Sequence, residues 1–577
     1  MTRPTSPLSS DAPPRDLPTS PPVPAVAGTG ALSRRPFRRS EMLAALGERR
    51  TWDVLVVGGG ATGLGIAVDA ATRGYATALV EQDDFAKGTS SRSTKLVHGG
   101  VRYLQQGNVA LVMGALRERG LLRRNAPHLV HDLPFVVPSY RWWETPFYGV
   151  GMKVYDMLAG RYGFGRSRIL SRDEVLARIP NIEDDELRGG TLYHDGQFDD
   201  ARLALALART AVDHGAILLN RARVSRLIKE QDRVVGAVVE EGVGGGELEL
   251  RAHAVVNATG PFVDELRRMD DPATPPMIAS SQGVHIVLDR AFLAGESAIM
   301  VPHTRDGRVM FAIPWHHVVV VGTTDTPIDR AEREPRAHPG EIDFILETAN
   351  RYLERPASHR DILSVFCGVR PLVSSGHPGS TASLSRDHVI HIDQTSGLCT
   401  IAGGKWTTYR HMAEDLVDHV ALLADLPPAV SRTAELPLHG APEEPNPTLG
   451  LDSTPQGHDP LAVHGTEAAA LRALAAEDPR LGATIHPRLP TIAAEIVWAV
   501  REEMALSVED VLSRRTRCLL YDAAAAVEAA SGVARLMADH LDAAVVGTDR
   551  ERWIAGQIEA FTALARGYLG PSGSSER

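Results

Sequence analysis

At 577 residues, with 43% apolar and 23% charged residues, the chain is long enough for two or three domains around a large buried core, and its composition is that of a soluble globular protein. A formal net charge of −11 excludes a nucleic-acid binder working through a basic stripe, so any anion site has to be local. Three cysteines, Cys367, Cys399 and Cys518, stand far apart with no CxxC pair; this excludes a disulfide framework and a zinc site, fits a reducing, cytoplasmic setting, and leaves no metal expected.

Residues 1–48 carry eight prolines in their first 24 positions and few large apolar side chains, and are expected to be a disordered arm. The arginines at 34, 35, 38, 39, 49 and 50 offer contacts for anionic lipid headgroups; the plainer reading is a solvated tail. The chain has no apolar run of the roughly 18 residues that a spanning helix needs, so membrane contact is expected to be peripheral.

The stretch WDVLVVGGG then reads as a short, almost continuously apolar strand, suited to burial on both faces of a parallel sheet. Gly58, Gly60 and Gly63 follow it in the G-x-G-x-x-G spacing: a tight turn, close backbone approach to a pyrophosphate, and close packing of helix on strand. The helix expected from Leu64 to about Arg73 presents its amino end, with Ala61 and Thr62, to the phosphates. A second strand, ATALVE, delivers Glu81 at its end, 21 residues beyond Gly60, where an acid accepts hydrogen bonds from ribose hydroxyls and repels the extra phosphate of NADP. These residues alone leave NAD and FAD open, since both share the adenosine pyrophosphate half.

A long loop rich in Gly, Ser, Thr and Lys, DDFAKGTSSRSTKLVHGGVRYL, comes next, where an NAD fold would place its third strand sooner; such a loop suits an extended cofactor. The arginine run RERGLLRR, Arg117 to Arg124, falls on a predicted helix and reads as a solvated face. Residues 233–260 read as a β-hairpin with a glycine-rich tip, then a buried strand ending at Ala258-Thr259-Gly260, where ligands of such sheets sit. Near residue 400 the pattern repeats as the strand LCTIAGG and the helix TTYRHMAEDLVDHVALL, whose Met412, Leu416, Val417 and Val420 form a buried stripe. Gly403, Gly404 and Lys405 place a helix amino end and an ammonium together, a pair able to stabilise an anionic reduced flavin, although Lys405 by itself also suits a surface lysine. The prolines and histidines between 436 and 460 suggest a linker. Cys367 reads as a buried structural thiol.

The motifs GGGATG, SRSTKLVHGGVRYL, SQGVHIVL, PWHHVVVVGTTD, GVRPL, SRDH and AGGKWTTYR stand in the order they have in the FAD-dependent glycerol-3-phosphate dehydrogenase family, and EIVWAVREEMALSVEDVLSRRTRCLLYD resembles its carboxyl-terminal helical domain. The resemblance runs from about Trp52 to Asp522. It implies an α/β fold: a glutathione-reductase-like FAD-binding domain, a mixed or antiparallel-sheet substrate domain and a C-terminal helical domain. It divides the chain into an arm (1–48), an FAD-binding domain in three pieces (roughly 49–135, 190–275 and 355–430), an inserted substrate domain (roughly 136–189 and 276–354), a linker (431–465) and a helical domain (466–577).

The resemblance further implies oxidation of sn-glycerol 3-phosphate to dihydroxyacetone phosphate, hydride transfer to FAD and electron delivery to a quinone, with the enzyme peripheral on the inner face of the cell membrane. FAD contacts are expected from Gly58, Gly60, Ala61, Thr62, Gly63, Glu81, Gln82, Ser90, Ser91, Thr94, Lys95, His98, Gly99, Gly100, Gly260, Gly404, Lys405 and Thr407, and substrate contacts from Arg102, Tyr103, His285, Arg370, Arg386 and Lys405. The chemistry accounts for these types: a phosphate monoester carries nearly two negative charges and calls for arginine forks, and a histidine of near-neutral pKa is the usual base for an alcohol proton. His285 is the expected base, although its place between Val284 and Ile286 equally suits a core histidine, and Arg370 and Lys405 are the expected stabilisers of the alkoxide or reduced flavin. No D-x-D-x-D-G calcium loop occurs, and the insertion of the family's oxygen-using branch is not recognisable, which favours a quinone acceptor. The rival enzymatic reading is a flavin oxidase of the same superfamily, using oxygen or acting on an amino or hydroxy acid. The residues leave the oligomeric state open between monomer and homodimer.

Overall fold

The computed structural model describes residues 36–100, 108–302, 304–305, 307–374, 388–442 and 459–570. The apolar strand Trp52–Val57 lies at the centre of an eight-stranded sheet. It pairs in parallel with Thr77–Val80 on one side and Glu247–Asn257 on the other; Glu247–Asn257 in turn pairs in parallel with Cys399–Gly403, and Thr77–Val80 with Ile217–Leu219. Because these strands run in one direction, their carboxyl ends bring Gly58, Glu81, Ala258 and Gly404 to a single edge, the position where open α/β sheets bind ligands. The helices Ala61–Thr72, Asp200–Asp213 and Tyr409–Leu423 pack together, and their apolar stripes join the core beside the sheet. The first and third of these helices begin three residues earlier and two residues later than the periodicity suggests.

A second, ten-stranded mixed sheet carries the rest of the site. Its long strand Ile278–Asp289 pairs antiparallel with Val318–Gly322 and along its length with Ile362–Val373. Val130–Ser139, Gly189–Phe198 and Leu96–Val97 continue the same sheet. The strands 189–198, 362–373 and 96–97, assigned from the sequence to the FAD-binding pieces, thus pair into this second layer instead. The helices Ala493–Glu502, Ala523–Ala538 and Arg550–Ala565 form a carboxyl-terminal bundle whose core runs onto Val287, Val320 and Phe366 of the second sheet.

Three further expectations are corrected. The arm does not extend to residue 48: Arg39–Glu48 is a helix, and Phe37, Met42 and Leu46 are buried in the first core, with Arg39 paired to Glu241 at 2.5 Å instead of facing solvent or lipid. Its few apolar residues suffice because they cover the edge strand Ile217–Leu219. Within 431–465, Thr433, Leu438, Leu461 and His464 are buried, so the described parts of this segment are packed and not a free linker. Thr433 and Ser431 are tied to the buried Asp69 of the helix Ala61–Thr72. On the helix Val109–Asn125, Glu118 and Arg119 of the arginine run are buried in ion pairs with Arg410 and Asp195, and only Arg117 and Arg124 are exposed. Among the described residues no helix is long and apolar enough to cross a membrane. All three cysteines are buried, and burial pushes each thiol up to about 12.

Candidate active site

Two cavities that share Thr89, Pro371, Gly403, Gly404, Lys405 and Trp406 run along the strand ends, one of about 230 Å³ and one of about 370 Å³. The smaller is lined by Gly58, Gly60, Ala61, Thr62, Glu81, Gln82, Ser90 and Gly260. Its floor admits only glycine. A Cβ on Gly58, whose φ is +113°, would lie 2.6 Å from the Ala258 carbonyl oxygen, and one on Gly63 would lie 1.9 Å from the Gly58 oxygen. The absent side chains let the strand end, the turn and the helix close up, so that the first turn of the helix, at Ala61 and Thr62, lines the cavity.

Glu81 is held in place by the backbone: its Oε2 accepts from Gly59 N–H at 2.7 Å and its Oε1 from Asp83 N–H at 2.8 Å. Burial nevertheless pushes its carboxyl up to about 7, the two N–H bonds offsetting only part of the desolvation. Ser90 Oγ accepts from Ala61 N–H at 2.9 Å, and the Trp406 indole donates to the Ser90 carbonyl at 2.9 Å, which fixes the polar loop over the helix start. Gln82 accepts from Arg333 at 2.9 Å.

The larger cavity is built by the second sheet. In the register of Ile278–Asp289 against Ile362–Val373, Ser281 faces Arg370, Gly283 faces Gly368 and His285 faces Phe366. Alternate residues share a face, so these six line one side of the sheet. His285 stacks on Phe366 with ring centres 4.7 Å apart, and its Nε2 lies 2.9 Å from the Thr94 hydroxyl oxygen, while its Nδ1 has no hydrogen-bond partner among the described residues. Burial, followed by the charges of Lys95 and Arg370, holds its pKa well below the ordinary histidine value, so the imidazole is neutral. The two intervening glycines make room: a Cβ on Gly283 would lie 2.3 Å from the Arg370 guanidinium and one on Gly368 2.8 Å from the Arg92 carbonyl oxygen.

Arg370 is fixed on many sides. Its Nη1 donates to Asp325 at 3.2 Å and to the Gln282 carbonyl at 3.3 Å, and its Nη2 to Thr323 Oγ1 at 3.1 Å and the Thr324 carbonyl at 2.9 Å. Asp325 also pairs with Arg308 at 2.6 Å, so one carboxylate clasps two arginines of the cavity wall. Lys405 lies on the wall common to both cavities, just before the short helix Trp406–Thr408, and Thr407, His98 and Gly100 also line the larger cavity. Arg92 is on the wall but neutralised by Glu334 at 2.7 Å.

Some expected contacts go elsewhere. Lys95 is fully buried, pairs with Asp200 at 2.7 Å and donates to the Ser91 carbonyl at 2.9 Å; burial lowers its pKa to about 8, and neither Lys95 nor Ser91 is among the residues lining these two cavities. Gly99 donates to the Tyr155 hydroxyl at 2.9 Å and Gly63 packs under the turn, so both shape the site without lining it. Arg102, Tyr103 and Arg386 lie outside the described residues. Conversely, Arg308, Thr323, Thr324 and Asp325 were not singled out from the sequence. The one signal was GTTD beside an antiparallel partner of the histidine strand, where a short polar run interrupts an otherwise apolar pair.

Comparison with known proteins gives the family. A family model described as FAD dependent oxidoreductase matches residues 53–410, and one described as the C-terminal domain of alpha-glycerophosphate oxidase matches 431–544. The chain is similar to the mitochondrial glycerol-3-phosphate dehydrogenase of Mus musculus, 41% identical over 542 residues, which cover 89% of this chain and 74% of that protein. Its similarity to the corresponding enzyme of Arabidopsis thaliana is 40% over 544 residues, covering 88% and 86%. Among solved structures, the glycerol-3-phosphate dehydrogenase of Bacillus halodurans, complexed with FAD, matches with a TM-score of 0.72 at 29% identity, over 92% of this chain and 98% of that one. The L-alpha-glycerophosphate oxidase of Mycoplasma pneumoniae matches in fold with a TM-score of 0.53 at 16% identity, over 67% and 97%.

Proposed function

The chain belongs to the FAD-dependent glycerol-3-phosphate dehydrogenase family, and from that membership we propose that it oxidises sn-glycerol 3-phosphate to dihydroxyacetone phosphate and passes the electrons to a membrane quinone from the inner face of the cell membrane. The observation that carries the reading is one cavity holding a neutral buried imidazole among three cations, continuous with a glycine-floored dinucleotide cleft. Arg308, Arg370 and Lys405 bring cationic groups to the cavity wall, with Asp325 holding the two arginines, a setting that suits the nearly two negative charges of a phosphate monoester.

Gly58, Gly60, Ala61, Thr62 and Glu81 would hold FAD, over the turn that Gly63 packs beneath, and the flavin would supply the two-electron acceptor. The rest belongs to the chain. Arg370, locked by Asp325 and two backbone carbonyls, gives the phosphate a fixed charge and not a mobile side chain, so little ordering entropy is lost on binding. Phe135, Tyr148, Tyr193, Met300 and Phe311 form an apolar wall that excludes water and strengthens these charges. The substrate hydroxyl gives its proton to the Thr94 oxygen as the Thr94 hydroxyl gives its own to His285 Nε2, 2.9 Å away. On this reading the first sheet holds the cofactor, the second roofs the substrate and the bundle closes the chain.

Stopped-flow reduction tests the substrate: the bound flavin is expected to bleach with glycerol 3-phosphate and not with lactate or D-amino acids, and bleaching by the acids alone would overturn the assignment. Reoxidation by a soluble quinone analogue faster than by oxygen is the expected mark of the acceptor. The cradle gives a second expectation. Gly63→Ala drives a methyl into the Gly58 carbonyl, and FAD affinity is expected to fall by at least about tenfold, equivalent to about 1.4 kcal/mol. Flavin retention on gel filtration measures it, and a variant that stays fully yellow would count against the geometry.

A further inference from the structure

Seven of the eleven large apolar side chains exposed among the described residues fall between Trp142 and Ile169, so this patch is not the usual scatter of surface hydrophobes. On the helix Glu144–Ala159, Phe147, Val150, Val154 and Met157 recur at three- and four-residue spacing and form one outward stripe. Trp142 stands just before the helix, and Ile169 lies against Gly149. The opposite stripe, Tyr148, Met152, Tyr155 and Ala159, is buried. The helix is therefore apolar on two faces, and among the described residues only the inner one is covered.

The charges around the patch select its occupant. Residues 141–170 carry five basic side chains (Arg141, Lys153, Arg161, Arg166 and Arg168) against two acidic ones, Glu144 and Asp156, in a chain whose formal net charge is −11. Both acids are turned to internal work: Glu144 accepts from the Tyr140 and Arg141 N–H groups, and Asp156 accepts from the N–H and hydroxyl of Ser167. An aromatic and aliphatic stripe with an exposed cationic rim matches the boundary between the acyl chains and headgroups of an anionic leaflet.

We propose that the outer face of the helix Glu144–Ala159, with Trp142 and Ile169, is the surface by which the protein seats on an anionic lipid bilayer. This moves the lipid contact away from the amino-terminal arginines, of which Arg39 is buried against Glu241. It also has a functional consequence, for which it rests on the quinone reading above. Tyr148, on the inner face, lines the larger cavity, and the Tyr155 hydroxyl accepts from Gly99 and donates to Asp195 at 2.9 Å. A bilayer on the outer face lies about one helix diameter, roughly 10 Å, from the redox cavity, close enough for an acceptor dissolved in lipid.

Flotation of the full-length, FAD-loaded protein with vesicles of phosphatidylcholine, with and without phosphatidylglycerol, tests the proposal. The wild type is expected to float with the anionic vesicles and more weakly with the neutral ones. Phe147→Ser/Val150→Ser/Met157→Ser is expected to weaken binding by more than about tenfold, and Arg161→Gln/Arg166→Gln by severalfold in a salt-dependent way. Flavin bleaching by glycerol 3-phosphate should be unchanged in both. If the triple variant fails to fold, Met157→Glu alone, at a side chain 80% exposed, carries the same expectation. Equal flotation of wild type and variants overturns the proposal, as does a wild type that binds no vesicle. A triple variant that changes sedimentation from dimer to monomer, with no vesicle binding by either form, would assign the face to a second copy and overturn it too. A flavin that glycerol 3-phosphate never bleaches sinks the enzymatic reading while leaving vesicle binding to be judged by itself.

Discussion

His285→Asn is expected to slow bleaching of the bound flavin by glycerol 3-phosphate by about 10²- to 10⁴-fold while leaving FAD in place. Asparagine keeps a planar polar group beside Phe366 and within reach of the Thr94 hydroxyl, but it has no basic nitrogen to take the alcohol proton. The wild-type ring is suited to the task because burial, aided by Lys95 and Arg370, depresses its pKa; the proton-accepting form therefore persists well below pH 6.5. The sign follows: for a histidine with a lowered value, activity is full above it and is lost only as pH falls through it, so the acid limb of flavin reduction should lie below that of a free imidazole. In the variant the rate should instead climb with pH as hydroxide replaces the missing base. Stopped-flow rates across the pH range decide the matter, and a variant within about threefold of wild type would remove His285 from proton transfer and leave it a core residue.

The cofactor cradle was legible because its demands are local. Strand, three glycines, helix, strand and acid fall within thirty residues, and each residue type answers a backbone or charge requirement that neighbouring residues impose. His285, Arg370 and Lys405 meet through the pairing of strands some 85 residues apart and a strand end 120 residues from the histidine; periodicity gives no register for such contacts, and the family motifs brought them together. Lys95 shows the converse failure. In a loop of Ser, Thr and Gly it reads as a phosphate contact, but its partner Asp200 arrives from a helix 105 residues on and takes the ammonium into the core. Arg308 was passed over because an arginine in a turn is ordinary until Asp325 ties it to Arg370. Composition hid the helix Arg39–Glu48 in the same way, since proline content describes the residues before it and not the edge strand that Met42 and Leu46 cover.

Asp84→Ala is expected to cost about 3–5 kcal/mol and to release FAD with it. Asp84 is fully buried three residues after Glu81, and it accepts from Arg514 Nε at 2.5 Å, from Arg515 through both of that guanidinium's Nη atoms, and from Asn220 at 3.3 Å. Asp510, paired with Arg221 at 2.6 Å and Arg514 at 2.7 Å, and Glu509, 2.8 Å from Arg514, add further negative charge to the cluster. Burial alone would raise the Asp84 pKa, but Arg515 and Arg514 hold it below the ordinary carboxylate value. Removing the carboxylate leaves two guanidiniums in the core with too little countercharge, a larger penalty than the loss of the bonds themselves. The damage spreads to the cofactor through the chain: Phe85 is buried and Ala86 N–H donates to the Gly59 carbonyl at 2.9 Å, so loosening this loop displaces both the glycine turn and Glu81. An exposed pair supplies the contrast, since Arg488→Ala removes bonds to Asp522 and Glu528 at a side chain 47% exposed and should cost no more than about 1 kcal/mol. A carboxylate with a depressed pKa stabilises the fold above its unfolded value and ceases to as pH falls through the folded one, so the gap between Asp84→Ala and wild type should narrow on acidification. Denaturant titration at neutral and acid pH, with flavin release followed in the same samples, measures both effects; an Asp84→Ala penalty no larger than that of Arg488→Ala would show that the bundle does not depend on this clasp.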